Sequence, residues 1–134
     1  MAAVVDAEQL RHFAAAIGDG NPERAGSDSK DRLLVPPTYL FCLEMQSAEQ
    51  PFAFVEELGL KITEILHASQ SFTYHRPVHS GERLTFRGRV ADVVEKRGGA
   101  LTFVVQAIAV EDERGACVAD LERTLVVRAK DPAE

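Results

Sequence analysis

Three extended stretches dominate the second half of the chain: ERLTFRGRVADVVEK at 82–96, ALTFVVQAIAVED at 100–112 and ACVADLERTLVVR at 116–128. Each is rich in Val, Thr, Phe and Leu, which fit a pleated, half-buried surface, and only RGG and ERG separate them. Separators this short, each with glycine, predict antiparallel hairpins. The strands run to roughly twice the usual 5–6 residues. A sheet built from them must curve or wrap something to keep one face dry.

The apolar segment LLVPPTYLFCLEMQ at 33–46 supplies that something. Its prolines hold the first residues extended, because a residue before proline avoids the α region, and Pro37 suits a first helical position. From Thr38 to about Ala48, Leu40, Phe41, Cys42, Leu43 and Met45 surround most of the axis, which predicts a central helix buried on several sides. An earlier helix is expected at 7–17, where Asp6 and Gln9 resemble a capping box, Leu10, Phe13, Ala14 and Ile17 recur at helical spacing, and Gly18 is the stop. Residues 19–32, DGNPERAGSDSKDR, read as a polar surface loop. Residues 52–58 are expected to make a helical turn or two ended by Gly59. Residues 66–76 alternate as a strand, with Gln70, Phe72 and Tyr74 on one face, and stop at Pro77. The fold class is therefore α+β, one domain over 1–134 with a curved antiparallel sheet wrapped around the central helix. Pairing two such sheets edge to edge would protect their edges, so a dimer is expected.

A net charge of −6 argues against nucleic acid or an anionic membrane as partner. Arg76, Arg83, Arg87, Arg89, Lys96 and Arg97 still form a local basic cluster, which fits either a phosphorylated ligand or the solvated face of strands. Cys42 and Cys117 each lie in an apolar setting without a second thiol or histidine at ligand spacing, so both are expected as buried free thiols and no metal centre is expected. No cofactor is implied, because no phosphate-cradling glycine loop occurs at a strand-to-helix turn, and RGGA at 97–100 reads as a hairpin turn. The opening MAAVVDAEQLRHF has no basic region leading into an apolar core, so a cytoplasmic location is expected.

Four stretches narrow the reading: AIGDGNP at 16–22, VPPTYLF at 35–41, FTYHRPVHSGERL at 72–84 and VVEKRGGALTFVV at 93–105. In this order they resemble the MaoC-like hydratase and dehydratase family, in its N-terminal dehydratase-type form, whose fold is the hotdog. The resemblance implies an acyl thioester of coenzyme A or acyl carrier protein as substrate, with water added to a 2-enoyl bond or removed from a 3-hydroxyacyl group. It further implies a catalytic role for Asp19, in the GDxNP pattern, and a substrate-binding role for Asn21 beside it. Thr38 and Tyr39, opening the central helix, offer backbone N–H groups that could polarise a thioester carbonyl. Tyr74, His75 and Arg76 end a strand before a turn, where side chains can line a pocket mouth.

One departure stands out. Complete members of the family carry a histidine five residues after the aspartate, and this chain has Arg24 there. The reaction needs a base to activate water and an acid to protonate carbon, and arginine does not give up its proton. His75 and His79 are the motif-associated candidates for a second group. The resemblance thus implies a subunit whose site is incomplete, working as a homodimer or as a heterodimer with another hotdog subunit that supplies the pair. Two other readings stay open: a noncatalytic acyl-thioester binder, and a hotdog thioesterase using Asp19. For Asp19 itself, an Asx-type turn without chemistry is the plain alternative.

Overall fold

The computed structural model describes residues 1–18 and 33–128. Five strands form one antiparallel sheet: β1 (Ala2–Val4), β2 (Ile65–Tyr74), β3 (Arg83–Lys96), β4 (Leu101–Glu111) and β5 (Cys117–Arg128), in the order β1-β3-β4-β5-β2. The long hairpins are as the sequence implies, and RGGA makes the β3–β4 turn, with positive φ at Arg97, Gly98 and Gly99. β1 was not foreseen. It is only three residues long and is held by pairing with Arg83, Leu84 and Thr85.

Among the described residues, three helices accompany the sheet: α1 (Ala7–Ala16), α2 (Tyr39–Ser47) and α3 (Ala53–Glu57), with a 3-10 turn at Ile62–Glu64. Asp6 caps α1, its carboxylate accepting from the N–H groups of Glu8 and Gln9, which satisfies donors that the first helical turn leaves open. α2 is the central helix. It starts two residues after Pro37, because the prolines form a turn in which the Tyr39 N–H donates to the Pro36 carbonyl at 3.1 Å.

Burial follows the strand period. Along β4 every second residue is buried: Thr102, Val104, Gln106, Ile108 and Val110. On β5 the buried row is Ala119, Leu121, Arg123, Leu125 and Val127. Tyr39, Leu40 and Leu43 of α2 meet Leu84, Phe86, Ile108, Val110 and Leu121 in one apolar cluster. Val55 of α3 meets Val104, Leu125 and Val127 in a second. Each such side chain contributes about 1.5–3 kcal/mol when fully buried. No helix among the described residues is long and apolar enough to cross a membrane.

Between the two clusters the inner face turns polar. Arg123 pairs in register with Gln106 on one side and Gln70 on the other, so the three side chains share one row and one face. Arg123 is fully buried and forms an ion pair with Glu44 of α2. Its guanidinium also lies 5.6 Å from the centre of the Phe41 ring. Gly88 of β3 belongs to the same face: a Cβ there would sit 2.9 Å from Gln106 Nε2, so the missing side chain leaves room for the amide. The central helix is thus fastened over the sheet by an ion pair as well as by apolar contact.

Candidate active site

α1 ends at Ile17, and Gly18 follows with φ +72°, a left-handed conformation that glycine adopts at little cost. Asp19, Asn21 and Arg24 lie outside the described residues, and the chain is described again from Leu33. Both flanks of the intervening segment are tied down. On the near side, Phe13 meets Tyr39 edge to face, with ring centres 5.1 Å apart, so the last turns of α1 rest on the first residue of α2. On the far side, Leu33 N–H donates to Ser80 Oγ at 2.9 Å and Ser80 N–H returns a bond to the Leu33 carbonyl at 2.8 Å.

These ties bring two of the four motifs together, and α1 with them. Val35 N–H donates to the Val78 carbonyl at 2.8 Å, and Leu34 bridges His79. The Tyr74 hydroxyl donates to the Pro37 carbonyl at 2.6 Å. VPPTYLF therefore lies along the turn of FTYHRPVHSGERL, and α1 reaches the same place through Tyr39. The fourth motif stands apart. Its hairpin closes the far end of β3, at Lys96 and Leu101, whereas the turn at 77–82 leads into that strand's beginning at Arg83.

The expected site residues among the described ones have definite settings. Thr38 precedes α2 without a side-chain capping bond. Tyr39 is buried, its N–H is given to Pro36, and its hydroxyl has no hydrogen-bond partner among the described residues. Burial, then the nearby Asp6 charge, raises its pKa. Tyr74 is half-buried, stacks with Phe72, and has its pKa pushed up to about 12 by burial. It holds the entrance to α2 as a neutral donor.

His75 and Arg76 point elsewhere. His75 Nε2 bonds Asp120 Oδ2 at 2.7 Å, and that contact holds the Asp120 carboxyl below its ordinary pKa. Arg76 reaches Glu82 with both terminal nitrogens, at 2.7 and 3.2 Å, and Asp112 at 3.1 Å. The same Glu82 accepts the His79 N–H at 2.7 Å. Arg76 thereby braces the turn against the β4–β5 hairpin, at the side of an open groove of about 550 Å³ also lined by His79, Arg83, Asp112 and Arg114. Others of the basic cluster are also engaged with neighbouring side chains: Arg87 bonds Glu111 at 2.7 Å, and Lys96 stands 4.8 Å from the centre of the Phe103 ring.

The Tyr74 bond yields a test. Tyr74→Phe leaves the Pro37 carbonyl without its donor and is expected to cost about 0.5–1.5 kcal/mol, since the carbonyl is exposed and water can replace the hydroxyl. The loss should concentrate at the entrance to α2, so hydrogen exchange at Tyr39, whose N–H is bonded to Pro36, should quicken more than exchange in β4.

The expectation for the thiols needs correction. Cys42 is half-buried and Cys117 is exposed. The β4–β5 register shifts between Val110 and Glu111, Val118 and Ala119 are both buried, and the Cys117 thiol is left outside, 3.6 Å from Asp120 Oδ1. Alternation alone would have turned Cys117 inward. The inward row of Gln70, Gln106 and Arg123 was also missed, although a charge at an inward strand position is the signal that would have found it.

A curled antiparallel sheet closed over a central helix, with the helix entrance and the 77–82 turn interlocked, is the hotdog fold of MaoC-like dehydratases. Residues 1–121 match the family described as FAS1-like, dehydratase domain region. The chain belongs to that family. A UPF0336 protein from Streptomyces coelicolor is 31% identical to it, over 96% of this chain and 87% of the relative. A chain of the HadBC (3R-hydroxyacyl-ACP dehydratase) complex from Mycobacterium tuberculosis is 26% identical, with a TM-score of 0.75 over 94% of this chain and 90% of that one. A MaoC-like dehydratase is 20% identical, with a TM-score of 0.80 over 97% of this chain and 40% of that one.

Proposed function

We propose that the chain is one subunit of a hydratase or dehydratase for acyl thioesters, interconverting 3-hydroxyacyl and 2-enoyl groups, and that a second hotdog subunit completes its site. The observation that carries this reading is the convergence of α1, the VPPTYLF segment and the 77–82 turn, which anchors both flanks of the segment bearing Asp19. In this reading Asp19 holds the water, Asn21 braces it, and the backbone N–H of Thr38 serves the thioester carbonyl, since that of Tyr39 is engaged. Tyr74 holds the entrance to α2, Arg76 braces the neighbouring turn through Glu82 and Asp112, and His75 faces Asp120 away from that entrance.

The need for a partner rests on Arg24 and on the shape of the sheet. β2 is an edge strand of ten residues with Leu66 two-thirds exposed, 66%, and a long edge of that kind favours pairing. The related HadBC chain comes from a complex.

The test follows absorbance of a 2-enoyl-CoA thioester with the purified chain alone and after mixing with a hotdog protein that carries both the aspartate and the histidine. Turnover by the mixture and background by the lone chain are expected. Saturable binding without turnover in every pairing would replace the enzyme with a binder. Release of free thiol would make it a thioesterase.

A further inference from the structure

On the outer face of the sheet, away from α2, three side chains of different chemistry meet. Cys117 and Asp120 flank the buried pair Val118 and Ala119, and His75 follows the end of β2. The His75 N–H donates to the Val118 carbonyl at 2.9 Å, so its backbone is fixed to the same stretch. One sulfur, one imidazole nitrogen and one carboxylate oxygen lie within 4.8 Å of one another. The closest approaches are 2.7 Å from His75 Nε2 to Asp120 Oδ2 and 3.6 Å from Cys117 Sγ to Asp120 Oδ1.

We propose that His75, Cys117 and Asp120 form a binding site for a divalent transition metal, best suited to Zn²⁺. Zinc–ligand bonds of about 2.0–2.3 Å in a tetrahedron put neighbouring ligand atoms about 3.4 Å apart, inside the span these atoms already occupy. Thiolate, imidazole and carboxylate together select a borderline-soft ion over Mg²⁺ or Ca²⁺, which take oxygen. As thiolate and carboxylate, the set carries two negative charges against the two positive charges of the ion. The local fold presents all three groups to solvent, because the register shift at the start of β5 turns Cys117 outward. Asp120 also lines a groove of about 460 Å³ along the outer sheet face, with Ser71, Thr73, Arg87 and Glu122 among others, and water can take the fourth position because all three ligands are exposed. Bound metal would pin the end of β2, an edge strand among the described residues, to the start of β5.

Tag-free protein titrated with Co²⁺ should develop the visible bands of a tetrahedral ion and a thiolate charge-transfer band, both bleached by Zn²⁺, at one ion per chain. Zn²⁺ in excess should raise the melting temperature by several degrees, as binding to the native state alone requires. Cys117→Ser should remove the charge-transfer band and weaken affinity by about tenfold or more, with Asp120→Asn and His75→Ala weakening it comparably. All three positions are solvent-exposed, and unchanged far-UV dichroism of the apo variants would show that the fold is kept. Absence of binding at micromolar metal, a spectrum without tetrahedral features, or affinity equal in wild type and Cys117→Ser would each overturn the proposal.

Discussion

Glu44→Leu is expected to destabilise the chain by about 3–5 kcal/mol, because it strands the guanidinium of Arg123 inside the fold with no counter-charge. Arg123 has no exposed surface, and a guanidinium cannot shed its charge to escape burial. For a domain of this size the loss corresponds to a fall in melting temperature of about 10–20 °C. Arg123→Met is expected to behave differently. It strands Glu44, whose carboxyl burial already raises above its ordinary value near 4.5 against the opposing pull of Arg123. Without the guanidinium that value rises further, and the side chain can take up a proton.

The sign of the pH dependence follows. Between the unfolded value and the raised folded value, the native form of Arg123→Met binds a proton that the unfolded chain has released. Its stability is therefore highest below the unfolded value, falls as pH rises through this window, and levels off above the folded value. Neutralising the carboxyl costs about 1.4 kcal/mol per pH unit, which caps this part of the penalty near 3 kcal/mol at about pH 7 and below 1 kcal/mol at about pH 5. Denaturant melts at the two pH values should show Arg123→Met approaching wild type in acid while Glu44→Leu does not. The double variant Glu44→Leu with Arg123→Met should recover most of the loss, since a buried pair replaced whole by apolar groups is often neutral. Equal melts for Glu44→Leu and wild type would mean that the pair does not fasten α2 to the sheet.

This pair also marks where sequence reasoning stopped. The strands were legible because one-sided burial imposes a two-residue period, as Thr102, Val104, Gln106, Ile108 and Val110 show. Their register was not. Gln70, Arg123 and Gln106 become neighbours only through pairing across three strands, and the partner of Arg123 comes from a helix 79 positions away in sequence. Cys117 illustrates the same gap, since its exposure depends on an irregular pairing that no local pattern announces. β1 gave no signal because AAV at 2–4 is too short to display a period. The entrance of α2 was legible from its prolines, but the donation of the Tyr39 N–H to Pro36 was not, because a Pro-Pro turn can hand on either of the next two amides. For Asp19 and Asn21 the motif itself was the whole signal.

Arg24→His should give the lone chain a turnover that the wild type lacks, about 10²-fold or more above background, within the range that a positioned acid–base group supplies. The argument is one of proton supply. Hydration of a 2-enoyl thioester removes a proton from water and delivers one to carbon, and Asp19 by itself can assist only the first transfer. Arg24 sits at the spacing where the family has its histidine, yet it offers a permanent charge and no exchangeable base. An imidazole there can both accept and return the proton. The flanks of the segment are already fixed, by Phe13 against Tyr39 and by Leu33 on Ser80, so the exchange of one side chain does not ask the scaffold to be rebuilt. Adding Asp19→Asn to Arg24→His should remove the gain, because the amide cannot take a proton from water. The measurement is decay of the conjugated-thioester absorbance, with substrate binding followed separately by calorimetry. Should Arg24→His bind the thioester as wild type does and still remain at background, Asp19 has no place in the chemistry, and the chain serves its complex by shaping the site alone.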